Sequence, residues 1–178
     1  GEAGGIKVSK LAGSKKFPDA KLAFKSPAMG DKVEAKSKLD FEVTNYELKA
    51  QTADKPFLAN SGKGQHIHVI VDNGPYMAKY ETPAEVGRAE GSHVSLACLS
   101  RSYHESVKNA FAVTRIHVGK KTDAIEKVSL EGPHMFYSRP KGTYTGEGAK
   151  KLLLDFFLVN TEIGKDGNKV EATINGQT

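Results

Sequence analysis

The chain has 178 residues, of which 38% are hydrophobic, and 26 lysines and arginines against 21 acidic residues give it a formal net charge of +5. No apolar run approaches the ~20 residues of a membrane-spanning helix. The longest, Lys151–Asn160, has Asp155 in its middle and is typical of a strand. The basic residues are spread thinly and are not interleaved with aromatic residues, so we predict a solvated surface and no nucleic-acid partner. Attraction to an anionic lipid surface is the alternative interpretation of the charge.

The first 19 residues are rich in glycine, lysine and small side chains and have no hydrophobic periodicity. This composition predicts a flexible tether over residues 1–19, either an expression remnant or a mature end left after processing. The single cysteine, Cys98, excludes an intramolecular disulfide and leaves the redox compartment open.

Short runs that alternate between apolar and polar residues follow, and turn-forming residues separate them. The predicted strands are, in chain order, Lys21–Lys25, Lys38–Leu48, His66–Asn73, Met77–Glu81, Ser92–Leu99 and Phe111–Val118. Helical signals are nearly absent. Strands of this length and spacing predict an all-β protein with an immunoglobulin-like β-sandwich over residues 20–130.

From about Gly132 the chain repeats the same order of motifs. LAFKSPAMGD is echoed by MFYSRPKGTY, KLDFEVTNYEL by LLLDFFLVNTEI, and KGQHIHVIVDNG by DGNKVEATING. We therefore predict a partial second immunoglobulin-like repeat over residues 131–178, with the boundary in Ser129–His134. Because three strands alone expose an edge and half a core, this copy must pack on the first domain, gain strands from another chain, or be the stump of a longer protein. The last of these is the favoured interpretation.

The motif GQHIHVIVDNG places two histidines in a predicted strand. Residues two apart share a face of a strand, so if Ile67, Val69 and Val71 face the core, His66 and His68 face away from it. The same alternation predicts Val94, Leu96 and Cys98 inside with His93 outside, and Thr114, Ile116 and Val118 inside with His117 outside.

These three segments hold the third, sixth and seventh strand positions of an immunoglobulin-like order, which lie side by side in one sheet. Four histidines would then share one outer face. Imidazole nitrogens are good ligands for copper and zinc, so we predict a candidate metal site of His66, His68 and His93, with His117 as a possible fourth ligand. The alternative is that this face packs against the second copy or a partner, with histidine as an amphipathic filler.

Other groupings favour structural roles. Cys98 and His93 are five residues apart on one strand and therefore on opposite faces, which favours a buried, inert thiol. Ser102, His104 and Glu105 have the residue types of a hydrolase triad but no nucleophile elbow, and a loop held by side-chain hydrogen bonds is the better interpretation. The sequence therefore predicts no enzymatic activity and no catalytic residues.

The segments GQHIHVIVDNGPY, EGSHVSLACLSRSYHESVKNAFAV, YSRPKGTY and LLLDFFLVN cover most of residues 60–160. In these the chain resembles uncharacterised bacterial envelope proteins, often lipoproteins, with tandem immunoglobulin-like domains. The resemblance implies export to the periplasm or the outer-membrane surface, a lipid anchor and an envelope protein partner. The leading functional expectation is accordingly a non-enzymatic binding or scaffold module that docks on a larger membrane-associated assembly. A copper- or zinc-binding envelope protein is the alternative.

Overall fold

The computed structural model describes residues 1–119 and 130–178. Its strands are β1 (Glu2–Ala3), β2 (Ile6–Lys7), β3 (Lys21–Ser26), β4 (Lys32–Val33), β5 (Lys36–Thr44), β6 (His66–Val71), β7 (Met77–Lys79), β8 (Ala84–Gly87), β9 (Gly91–Ser100), β10 (Ser106–Val118), β11 (His134–Arg139) and β12 (Asp155–Val159). One 3₁₀ turn, Gly146–Ala149, lies between β11 and β12. No helix in these two ranges has the length and apolar character needed to cross a membrane.

Two sheets form the first unit. One has the order β3-β5-β8, and the other has the order β4-β10-β9-β6-β7. All neighbours are antiparallel except β4, which runs parallel to β10. This is the strand order of an immunoglobulin-like β-sandwich, and the predicted all-β fold is confirmed. The predicted adjacency of β6, β9 and β10 is also correct.

The core between the two sheets follows from period-two alternation. Leu39 and Phe41 from β5 meet Ile67 and Val69 from β6, all at most 2% exposed. Each such side chain contributes about 1.5–3 kcal/mol by leaving water, which is what fixes the register of β5 and β6. The expected inward positions of Ile67, Val69 and Val71 are confirmed, and His66 and His68 lie on the opposite face.

The alternation predicted for β9 is wrong. Ala97 and Leu99 face the sandwich core, while Leu96 and Cys98 face outwards, because Cys98 pairs with His68 of β6. Both faces of β9 are covered, so SHVSLACL carries apolar residues on each side. The sequence pattern therefore does not show which face points to the sandwich core. Cys98 is buried at 1% exposure, as predicted.

The cover on the outer face is the antiparallel hairpin β11–β12. Phe136 and Phe157 pack against Ile70, Leu96 and Cys98 in a second apolar cluster. Ser106 Oγ and Lys108 Nζ donate to the buried carboxylate of Asp155, the latter at 2.8 Å, which ties β10 to β12. The hairpin therefore closes the histidine-bearing face from solvent.

The hairpin copies the register of β3–β5. Phe24 pairs with Phe41 in the first hairpin, and Tyr137 pairs with Phe156 in the second. In each, the register then shifts before an aspartate, Asp40 or Asp155. The third predicted element of the second copy is not a strand, since residues 160–178 form only two isolated bridges, Ile163–Asn168 and Ile174–Gln177. The predicted boundary Ser129–His134 begins outside the described residues.

The N-terminal segment is packed before residue 20. The guanidinium of Arg101 donates to the Lys15 carbonyl at 2.8 and 2.6 Å, and the ring of Phe17 packs on the sandwich core. The predicted tether over residues 1–19 therefore differs from the structure in two places: in its last five residues, because a buried arginine needs that carbonyl as an acceptor, and at its start, where β1 pairs with β2.

Candidate metal centre

Three histidines converge at one end of the outer face, at the start of β6 and in the loop between β9 and β10. The Nε2 atoms of His66 and His68 are 2.9 Å apart, and His104 Nδ1 is 3.2 Å from His66 Nε2. One ring nitrogen from each lies within 4.8 Å of the other two. His66 and His68 are fully buried and His104 is half-buried.

His66 is held by the backbone that precedes β6. Its Nδ1 lies 2.8 Å from the Gly64 carbonyl oxygen, which can only accept, so Nδ1 carries the proton and Nε2 presents a lone pair to the cluster. Gly64 has φ +81°, and a Cβ there would lie 2.2 Å from the Lys49 carbonyl oxygen. Only glycine fits this close approach, so the acceptor for His66 depends on it.

His68 is enclosed by Tyr76 and by the hairpin β11–β12. Its ring stacks on Tyr76 at 3.9 Å between centroids, and its Nδ1 is 3.4 Å from Ser138 Oγ on β11. A hydroxyl both donates and accepts, so Ser138 suits either tautomer of His68. The hairpin β11–β12 thus supplies a partner that orients a ring of the first unit.

His104 lies in the tight turn between β9 and β10. Its φ of 72° is in the left-handed region, which is uncommon for a residue other than glycine, and its backbone N–H donates to the Arg101 carbonyl at 2.9 Å. The Tyr76 hydroxyl is 3.3 Å from His104 Nδ1. Because β9 ends opposite His66, closing this turn brings the His104 ring over the pair on β6.

The electrostatics of the cluster keep all three rings neutral. Burial lowers the pKa of His66 to about 4 and that of His104 to about 3, and burial takes the pKa of His68 well below its ordinary value. The positive charge of Arg139 adds to the lowering at each ring. Metal ligation requires neutral imidazole, so protons compete only weakly for these nitrogens at neutral pH.

No protein-family model matches the chain, and no curated protein matches it by sequence. Among solved structures, the chain is similar to the fibronectin(III)-like modules of Clostridium thermocellum CbhA. The identity is 17%, the match covers 56% of this chain and 97% of that one, and the TM-score is 0.35. The strand order and register establish the sandwich independently of this similarity.

The structure does not bring His93 or His117 to the cluster. His93 pairs with Ile116, so it lies on the core side of the sheet, where its ring nitrogens meet Asp72 Oδ2 at 2.5 Å and the Ala89 carbonyl oxygen at 2.9 Å. Both nitrogens are therefore engaged with oxygen acceptors. The sequence grouped His93 with His66 and His68 and the structure does not, because the alternation of β9 is the reverse of that expected.

His117 is on the expected outer face but at its far end. It pairs with Ser92, and His66 pairs with Ser100, so eight residues of β9, roughly 26 Å of strand, separate the two positions. The Ser92 hydroxyl is 2.9 Å from His117 Nδ1. Of the four histidines predicted from sequence, the structure brings His66 and His68 together, and the third histidine beside them is His104.

The hydrolase grouping is not assembled. The Ser102 hydroxyl is bonded to the backbone of Thr52, and the carboxylate of Glu105 lies 3.5 Å from Arg101. Neither side chain has a hydrogen bond to His104, so these three residues are not arranged as a catalytic triad. The absence of enzymatic activity stays a prediction.

Proposed function

We propose that this chain is a metal-binding immunoglobulin-like module that holds one copper or zinc ion between His66, His68 and His104. The observation that carries the proposal is the convergence of three neutral ring nitrogens on one point. Metal–nitrogen bonds of ~2.0–2.1 Å in tetrahedral geometry separate the ligand atoms by about 3.3 Å. The separations of 2.9 and 3.2 Å from His66 Nε2 are slightly shorter than this value, and the nitrogens of His68 and His104 lie within 4.8 Å of each other, so binding needs modest rotations of the rings.

The partners of the rings support metal binding as well. His66 already has the required tautomer, because its Nδ1–H donates to Gly64. His68 presents Nε2 to an ion when its Nδ1–H donates to Ser138. Half-buried His104 is the most accessible of the three and supplies the route by which an ion enters.

The alternative interpretation, in which the histidines fill a face that packs against the second copy, explains only part of the outer face. The outer face is indeed covered by β11–β12, but aliphatic residues make that contact, with Ile70 and Leu96 against Phe136 and Phe157. The histidines are instead turned towards one another. In the absence of an ion, the lone pair of His66 Nε2 accepts from His68 Nε2–H at 2.9 Å. Ion binding requires the proton of His68 to move to Nδ1, where Ser138 Oγ can accept it, which frees Nε2 for a cation shared by the three rings.

The test is metal content of protein purified without a histidine tag. After equilibrium dialysis against Cu⁺ under anaerobic conditions, Cu²⁺ or Zn²⁺, each with a weak chelator, we expect one bound ion per chain for the wild type with at least one of the three. We expect none for a His66→Ala/His68→Ala double variant, and an unchanged stoichiometry for His117→Ala, which removes a buried histidine at the far end of the same face. Wild type without stoichiometric metal, or equal binding by the double variant, would contradict the proposal.

Docking on an envelope assembly, export and a lipid anchor stay predictions from the sequence resemblance. They are compatible with a metal-binding module, since a metal carrier or sensor also needs a partner. Pull-down from envelope extract tests the docking role, and recovery of the protein alone at native abundance would count against it.

A further inference from the structure

The surroundings of the three imidazoles are positively charged. Arg139 is 8% exposed and donates to the Tyr76 hydroxyl from Nε and Nη2, at 3.1 and 2.6 Å. That hydroxyl lies 3.3 Å from His104 Nδ1, so a single oxygen separates the guanidinium from a ligand nitrogen. The Lys141 ammonium lies 3.7 Å from the centroid of the Tyr76 ring, and His68 stacks on the same ring.

Negative charge is lacking on the ligand side. Among residues 1–119 and 130–178, the group of metal-ligating side chains contains the three histidines and no carboxylate. Glu105 follows His104 in the chain, but its carboxylate faces Arg101. An ion in this site therefore meets neutral ligands and two nearby cations.

We infer that the site favours Cu⁺ over divalent ions, because Arg139 and Lys141 place two positive charges beside a neutral set of three imidazoles. This inference rests on the proposed metal site. The repulsion between a fixed cation and a bound ion is proportional to the charge of the ion, so it weighs twice as heavily on Zn²⁺ or Cu²⁺ as on Cu⁺. Cu⁺ has a filled d shell and imposes no ligand-field geometry, so three nitrogens at uneven separations suit it.

Lys141 is the residue at which the inference can be tested, because it is exposed, while Arg139 is buried and orients Tyr76. Lys141→Gln removes one charge beside the site. Lys141→Arg keeps the charge, and Lys25→Gln removes a lysine from the sheet that lies opposite. The two controls separate a local charge effect from loss of the side chain and from a change in net charge.

The experiment measures dissociation constants for Cu⁺, anaerobically, and for Zn²⁺, each by competition with a chromophoric chelator. We expect wild type to bind Cu⁺ at least about 100-fold more tightly than Zn²⁺. We expect Lys141→Gln to tighten Zn²⁺ binding about tenfold and Cu⁺ binding about threefold, with both controls within about twofold of wild type.

Two results overturn the inference while leaving the metal site in place. One is Zn²⁺ binding to wild type as tightly as Cu⁺. The other is a Lys141→Gln variant whose Zn²⁺ and Cu⁺ affinities change by the same factor, or not at all. If wild type binds neither ion, the proposed function fails and this inference fails with it.

Discussion

The two ends of the histidine-bearing sheet use the same residue type in opposite ways. At the far end, His93 meets Asp72 and the Ala89 carbonyl, and His117 meets Ser92, so each ring has an oxygen partner. At the near end, His66, His68 and His104 face one another. Burial alone does not separate the two groups, since His117 is 2% exposed. The near-end rings also have oxygen partners, but in addition their nitrogens contact one another, and this contact between imidazoles distinguishes a candidate ligand from a structural histidine.

The largest expected effect comes from His104, the residue that separates the observed cluster from the set predicted by sequence. His104→Ala removes one of three ligands and should weaken copper or zinc binding by more than the roughly 10- to 100-fold that loss of an outer partner costs. Isothermal titration of the single variants measures this. His93→Ala is the matched variant at the far end, and a weaker affinity for His93→Ala than for His104→Ala would invert the comparison.

The pH dependence of stability should report the burial of the near-end rings. The ordinary histidine pKa is 6.5, and the folded-state pKa is about 4 for His66 and about 3 for His104. Between pH 6.5 and about 4, the unfolded chain binds protons that the folded chain does not, so stability falls as pH falls through this window. At pH 5 each of these two histidines should cost about 2 kcal/mol relative to neutral pH.

Urea unfolding of metal-free protein at pH 7.5 and pH 5 measures that loss. A His104→Gln variant should lose about 2 kcal/mol less than wild type on acidification, because the pKa of His104 is about 3 in the folded chain. Equal pH dependence for wild type and His104→Gln would show that the near-end rings are not held neutral.

A smaller effect is expected at the far end. His93→Gln should reduce the free energy of unfolding by about 1–2 kcal/mol, because it leaves the Asp72 carboxylate without its ring partner. Metal affinity should be unchanged. Thermal and urea unfolding combined with metal titration check both statements, and a loss of metal binding would assign His93 to the site after all.

The smallest predicted effect concerns Ser138 of the hairpin β11–β12. Ser138→Ala removes the 3.4 Å partner of His68 Nδ1, a long contact, so metal affinity should fall by less than about tenfold. Ser95→Ala is the control, because Ser95 is a buried serine on the core side of β9. If Ser138→Ala has no effect while metal still binds, β11 covers the site without orienting it.

Sequence reasoning recovered the fold because alternation was clear where one face of a strand is covered by the opposite sheet. Leu39, Phe41 and Val43 of β5 and Ile67 and Val69 of β6 follow this pattern. It failed for β9, where the hairpin β11–β12 buries the second face as well. A strand buried on both sides has no polar face, so only cross-strand pairing shows which of its side chains face the sandwich core.

The site could be predicted in part. His66 and His68 are two residues apart on one strand, so a shared face was certain once β6 was identified. The position of His104 depends on a turn with positive φ and on which end of β9 lies beside His66. The spacing of residues in the sequence shows neither. One signal was available in the sequence. The loop that contains His104 directly follows β9, so it must lie at the end of β9, and an antiparallel β6 beside β9 begins at that same end.

The central claim is that three imidazole nitrogens hold one ion, and an anomalous difference map from crystals of copper-loaded protein tests it most directly. The account predicts one peak about 2.0–2.1 Å from Nε2 of His66, Nε2 of His68 and Nδ1 of His104. A peak at His93 or His117, or a fully loaded crystal with no peak among these three rings, would contradict it.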